Sequence, residues 1–144
     1  MEFRVDTLSP KERSRRMSLI RGKNSNPEMK LRHLVHNMGF RYRLHVESLP
    51  GTPDLVFPSK RAVIFLHGCF WHRHENCKLA RLPKSRLEFW KQKLDANKDR
   101  DARDQKRLMA LGWRVLVVWE CEMNDTVRVG MSVREFLCGS EGGE

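Results

Sequence analysis

Apolar residues recur with distinct periods along this chain, and each period predicts an element. Leu31, Leu34, Val35 and Met38 fall at i, i+3, i+4 and i+7, the stripe of an amphipathic helix. Ser25 to Glu28, around Pro27, supplies its capping signal and Gly39 its stop. Phe40, Tyr42, Leu44 and Val46 then alternate with Arg41, Arg43 and His45, which predicts a strand with one buried and one basic face. After the turn cluster Leu49-Pro50-Gly51-Thr52-Pro53, Asp54 to Phe57 and Arg61 to His67 read as two strands paired as a hairpin about Pro58-Ser59-Lys60. Ala62 to Leu66 is apolar without alternation, so this strand should be central and covered on both faces.

Ser85-Arg86-Leu87-Glu88 reads as a capping box that opens a long helix closed by Gly112, and Trp113 to Trp119 reads as a further strand. A terminal helix is expected from Ser132 to Glu135 onward, with a frayed tail from Gly139. At the other end, Ser9-Pro10-Lys11-Glu12 predicts a short helix carrying Arg13, Arg15, Arg16 and Arg21, followed by a polar stretch through Asn26. Helix, helix, three strands, helix, strand, helix implies an α/β fold, a mixed sheet flanked by helices. The expected organisation is a single domain over 1–144, with a basic arm at 1–26 and a tail at 140–144.

The chain has 144 residues, 40% of them hydrophobic, enough to bury a core without disulfides. Its 28 Lys and Arg against 18 Asp and Glu leave a formal charge of +10, which nominates a phosphate polymer as partner. The longest apolar run, Ala62 to Leu66, is too short to cross a bilayer, and the first residues have no apolar signal core, so neither a membrane protein nor a secreted one is expected.

His67, Cys69, His72, His74 and Cys77 crowd into the segment 67–77. Thiolates and imidazoles suit tetrahedral zinc, and Cys69, His74 and Cys77 lack one ligand, which Cys121 can supply from the end of the last strand. Cys138, next to Leu137, reads as packing, with the alternative that it replaces Cys121 as the fourth ligand. The hairpin sets Asp54 roughly opposite Ile64, bringing its carboxylate toward Phe65 to His67. One carboxylate, a main-chain carbonyl and substrate phosphates can hold Mg²⁺, and His67 and His72 are then candidate acid and base. The alternative is a strand-capping Asp with solvated histidines. Phe70 and Trp71 lie in the polar loop, placed as a wedge for base steps. Trp90, Lys93 and Asn97 recur at i, i+3 and i+7 on the long helix, a face that can read DNA, unless Trp90 is core with Leu87 and Leu94.

Pro50-Gly51-Thr52-Pro53-Asp54, Phe65-Leu66-His67-Gly68-Cys69-Phe70-Trp71-His72 and Gly112-Trp113-Arg114-Val115-Leu116-Val117-Val118-Trp119-Glu120-Cys121 together resemble the very short patch repair endonucleases. The resemblance runs from about Ser14 to Gly139. It implies a restriction-endonuclease-like core with a structural zinc, and Mg²⁺-dependent nicking of double-stranded DNA at T:G mismatches left by deamination of 5-methylcytosine. It also implies catalytic roles for Asp54, His67, His72 and Glu28, with Asp54 and the Leu66 main-chain carbonyl as magnesium ligands. Cys69, His74, Cys77 and Cys121 would hold the zinc. Phe70, Trp71 and Trp90 match intercalating aromatics, and Met17 matches a residue approaching from the minor groove. A functional link to a DNA cytosine-5 methyltransferase, a monomeric state and a bacterial cytoplasmic, nucleoid-associated location follow as expectations. Two other functions fit the residues alone: a zinc-stabilised DNA-binding module without catalysis, and a restriction-type nuclease of the same fold acting on matched DNA.

Overall fold

The structure, a computed structural model, describes residues 26–139. The basic helix expected after Ser9, Met17, the Ser25 cap, nearly all of the 1–26 arm and the 140–144 tail lie outside the described residues.

Helix α1 spans Asn26–Asn37 and buries Leu31 and Val35, while Leu34 and Met38 from the same stripe pack against the core. Gly39, at φ +97°, turns the chain out of it as expected of a C-terminal glycine. The predicted strand from Phe40 to Val46 does not form. Arg43 alone bridges Val56, exchanging two main-chain hydrogen bonds of 2.8 and 3.0 Å, and His45 takes a left-handed conformation (φ 56°) that ends the extended run. The alternation still sorts side chains, since Phe40, Tyr42 and Leu44 pack on the core and Arg41, Arg43 and His45 are exposed.

Strand β1 (Leu55–Phe57) pairs antiparallel with β2 (Ala62–His67) about a turn at Pro58–Lys60, in the register Leu55↔Ile64. Asp54 therefore lies one step beyond its expected place opposite Ile64 and donates its main-chain N–H to the Ile64 carbonyl at 3.1 Å. Strand β3 (Arg114–Trp119) runs parallel to β2 on its other side, reached through helix α2 (Leu87–Ala110). The sheet order β1-β2-β3 makes β2 central, and Ala62 through Phe65 are buried, as the absence of alternation required.

The two faces of this mixed sheet have separate cores. Ala62, Ile64, Leu55 and Phe57 pack with α1 and with helix α3 (Thr126–Arg134), whereas Val56, Val63 and Phe65 pack with Leu108 of α2. Gly51 lies beside the second core at φ +77°, where a β-carbon would approach Phe65 and the Asp104 Cβ to 3.1 Å.

Two predicted helix starts are displaced. Helix α2 begins after Arg86, which is left-handed (φ 55°) and gives no side-chain cap, so the Ser85 box is not made. Helix α3 begins at Thr126 rather than Ser132, because the Asp125 carboxylate accepts from the Arg128 N–H and fixes an earlier first turn. Cys138 is exposed beside the fully buried Leu137, so it does not pack in the core. Among the described residues no helix is long and apolar enough to cross a membrane.

Candidate active site

Strand pairing assembles the site. The parallel register sets His67 beside Trp119, so the chain leaves both strands at one end of the sheet, and two residues later the Cys69 and Cys121 sulfurs lie within 4.8 Å of each other. The antiparallel register brings Asp54 to the same end, where its Oδ2 accepts the Leu66 main-chain N–H at 2.6 Å. The carboxyl ends of parallel strands are where open α/β sheets bind ligands.

A cleft of about 860 Å³ opens there. Its walls include Glu28, Asp54, Leu66, His67 and His72, and also Phe70 and Trp71. The side chains nominated for catalysis thus share one cavity despite coming from α1, the β1 approach, β2 and the following loop. Burial drives the Asp54 carboxyl up from 3.8 to about 6, opposed by the Leu66 N–H; Glu28 adds repulsion, and Arg32 and His72 favour the charge. Burial, and then the neighbouring His72, lower His67 to about 4, with Asp101 opposing, so His67 is neutral at pH 7.

The His67 and His72 rings stack with centroids 3.9 Å apart and planes 6° from parallel. His72 Nδ1 contacts Asp101 Oδ2 from α2, and sequence reasoning missed this carboxylate. Asp101 prolongs the stripe of Trp90, Lys93 and Asn97 by four residues, so helical spacing was the signal that could have found it. His67, His72 and Asp101 offer ligand atoms all within 4.8 Å of one another. Glu120 also lines the cleft, and its Oε1 accepts the Cys69 N–H at 3.1 Å.

The second cluster is Cys69, His74, Cys77 and Cys121, whose ligand atoms likewise lie within 4.8 Å of one another. Tight hydrogen bonds fold the loop that carries three of them: His72 N–H to the Gly68 carbonyl at 3.1 Å and His74 N–H to the Cys69 carbonyl at 3.0 Å, with Arg73 and Asn76 both left-handed at φ 56°. His74 Nδ1 is 3.5 Å from Cys121 Sγ. A tetrahedral zinc with ordinary bond lengths sets nitrogen and sulfur about 3.6 Å apart, so the donor set and its spacing fit that ion. Burial holds the Cys69 thiol above its usual range, and a cation entering the cluster would replace that proton. Trp119 links the two clusters: its ring stacks on His74 at 4.2 Å and meets His67 edge-on at 5.2 Å.

The aromatics gather at the rim. Phe70, Trp71 and Trp90 form a three-way edge-to-face group with centroids 5.1 to 6.0 Å apart, and Trp71 keeps 45% of its surface exposed. Trp90 is therefore neither core nor isolated, and Leu87, its expected core neighbour, is exposed while Leu94 is fully buried. Asn97 donates to the Trp71 carbonyl at 3.3 Å and so secures the wedge; Lys93 is exposed on the same helix. Arg73 with Asp95 (3.8 Å) and Glu75 with Lys98 (3.5 Å) further latch the ligand loop onto α2.

Comparison with known proteins bears on the family and the fold. The family described as DNA mismatch endonuclease Vsr matches residues 5–79. The type II nicking enzyme V.XorIIP of Xanthomonas oryzae pv. oryzae is 51% identical over 133 residues, covering 92% of this chain and 97% of its own. The DNA mismatch endonuclease Vsr of Escherichia coli is 42% identical over 140 residues, covering 94% and 89%. Among solved structures, the catalytic domain of the homing endonuclease I-Bth0305I shares the fold at a TM-score of 0.54 and 22% identity, over 78% of this chain and 93% of that one. The mixed sheet, the cleft at its strand ends and sequence identity over nearly the full length lead to one conclusion: this chain belongs to the Vsr family of DNA mismatch endonucleases.

Proposed function

We propose that this endonuclease nicks one strand of duplex DNA at T:G mismatches arising from deamination of 5-methylcytosine, using Mg²⁺ in the Asp54 cleft and a structural zinc in the cysteine cluster. The observation that carries the reading is the convergence of Asp54, the Leu66 end of β2 and the His67–His72–Asp101 group in a single cleft, with an exposed aromatic wedge at its rim.

Asp54, which commits only Oδ2 to the Leu66 amide, and the Leu66 carbonyl would hold the ion. Bound there, Mg²⁺ supplies charge stabilisation for a phosphoryl oxygen and lowers the pKa of water. The protein's own groups do the rest. Asp101 fixes the proton of His72 on Nδ1 and frees Nε2 to accept a proton from the attacking water. His67, neutral and held between His72 and Trp119, donates a hydrogen bond that orients the phosphate. Phe70, Trp71 and Trp90 unstack the mismatched step, which opens more easily than a matched one, while Lys93 and Asn97 face the duplex. Glu28, which lines the same cleft, orients water or ligand. Cys69, His74, Cys77 and Cys121 take the zinc and hold the loop that carries His72 and the wedge. The protein acts as a monomer, on lesions left by a DNA cytosine-5 methyltransferase, on the bacterial nucleoid.

An end-labelled T:G duplex tests this, incubated with Mg²⁺ or with EDTA and compared with a C:G duplex. The expected outcome is a strand-specific nick in the T:G duplex with Mg²⁺ only. A shift in mobility without nicking would make the protein a binding module, and equal cutting of C:G would make it a nuclease of matched DNA.

A further inference from the structure

Five negatively charged or electron-rich groups of the cleft wall come from different elements: Glu28, Asp54, Asp101 and Glu120 are carboxylates, and Leu66 adds a carbonyl. A phosphodiester must approach this wall. Among the described residues only one Lys or Arg is buried, and it stands behind it: Arg32, on α1 one turn after Glu28. Its Nη2 lies 2.8 Å from Glu28 Oε2, and the two side chains are 9% and 7% exposed, too enclosed for a solvated surface pair. The same guanidinium meets Met29 Sδ at 3.4 Å through Nη1, and the Tyr42 hydroxyl donates to the Arg32 carbonyl at 3.1 Å. Leu31 and Val35, flanking Arg32 on α1, are fully buried, so the helix cannot rotate the pair away.

We propose that Arg32 is a positioning residue for strand nicking: clamped on Glu28, it fixes that carboxylate at the cleft wall and balances the negative charge gathered there. A buried carboxylate stripped of its partner would swing toward water or take up a proton, and in either state it would no longer present a fixed acceptor to the cleft. The charge balance reaches Asp54 as well, whose ionised form Glu28 disfavours and Arg32 favours. Arg32 itself is absent from the cleft wall, so it touches neither substrate nor metal and acts through Glu28.

This inference rests on the reading of the Asp54 cleft as the nicking centre. The test measures single-turnover nicking of a T:G duplex across Mg²⁺ concentrations, duplex affinity without Mg²⁺, and thermal midpoints, for Glu28→Gln, Arg32→Met, Arg32→Lys and the Glu28→Gln/Arg32→Met double variant. Arg32→Met should slow nicking by about tenfold to a hundredfold with duplex affinity unchanged, the scale of a misplaced group near the reacting atoms. Arg32→Lys should recover most of the rate, because one nitrogen, Nη2, makes the 2.8 Å contact with Glu28. The double variant, with neither charge left buried, should fold as well as wild type and be no slower than Glu28→Gln alone. Additive losses in the double variant, a wild-type rate for Glu28→Gln, or a slowing in Arg32→Met that merely follows its unfolded fraction would overturn the proposal. Asp54→Asn serves as the separate check: if it nicks normally the reading of the cleft falls, whereas a dead Asp54→Asn beside failed Arg32 arms removes only this inference.

Discussion

Replacing Asp54 by asparagine should make the protein more stable and inactive at once. The amide has the shape of the carboxylate and can still accept the Leu66 N–H, so packing and the strand end are retained. Only the buried charge disappears. Burial raises the Asp54 carboxyl from 3.8 to about 6, which means that the folded chain binds this proton more tightly than the unfolded chain does. The contribution is neutral below pH 3.8, becomes increasingly destabilising between 3.8 and 6, and levels off above that. A difference of about two in pKa corresponds to about 3 kcal/mol. His67 has the opposite slope: lowered to about 4, it supports folding above pH 6.5 and loses that support as the pH falls toward 4, so in wild type the two effects largely cancel. The Asp54→Asn substitution leaves the His67 slope in place, and the difference between the two proteins isolates Asp54. Urea unfolding in Mg²⁺-free buffer should find Asp54→Asn more stable by about 2 kcal/mol at pH 5 and about 3 kcal/mol above pH 7. Added Mg²⁺ should stabilise wild type and leave the variant unchanged. An Asp54→Asn protein that is less stable than wild type at pH 7.5, or that gains stability from Mg²⁺ as wild type does, would refute the reasoning.

Three further outcomes follow from the same geometry. Asp101→Asn replaces a carboxylate that can only accept with an amide that can also donate, so the His72 tautomer is no longer fixed, and it should lower the single-turnover nicking rate about a hundredfold or more without loss of duplex affinity, as gel shift and quench kinetics would report. Metal analysis of wild type should find about 1 equivalent of zinc; Cys121→Ser should lose it together with much of the thermal stability, while Cys138→Ser, at an exposed position away from the cluster, should keep both. Trp71→Ala, at the exposed tip of the wedge, should weaken T:G duplex binding by about tenfold to a hundredfold in a fluorescence titration and leave zinc content unchanged.

The elements that the sequence disclosed are those in which one local signal dominates. The stripe of α1, the uninterrupted apolar run of β2 and the apolar run before Cys121 each predict an element of the right type at the right place, and the hairpin between β1 and β2 differs by a single step of register. Where competing signals meet, the reading fails for identifiable reasons. The alternation from Phe40 to Val46 is real, yet β1 is only three residues long and offers Arg43 one bridge before His45 turns left-handed. Asp125 follows so closely on β3 and its terminal turn that nothing local marks it as a cap, and α3 therefore starts earlier than its sequence suggests. At the site, residues joined by neighbouring strands are accessible to spacing arguments, since registers propagate from residue to residue. Asp101 and Arg32 are harder to find, because α2 and α1 are rich in charged residues: only its helical spacing from Trp90, Lys93 and Asn97 marks Asp101, and nothing local marks Arg32 as the residue of α1 that turns inward.

The central claim, that Asp54 and the paired histidines form a metal-dependent nicking centre selective for a distorted base pair, is tested most directly by single-turnover cleavage of T:G and C:G duplexes, labelled on each strand in turn, with wild type and Asp54→Asn. The account predicts one nick, on one strand of the T:G duplex, requiring Mg²⁺ and absent from Asp54→Asn. Cleavage by Asp54→Asn at the wild-type rate, or equal cleavage of both duplexes, would contradict it.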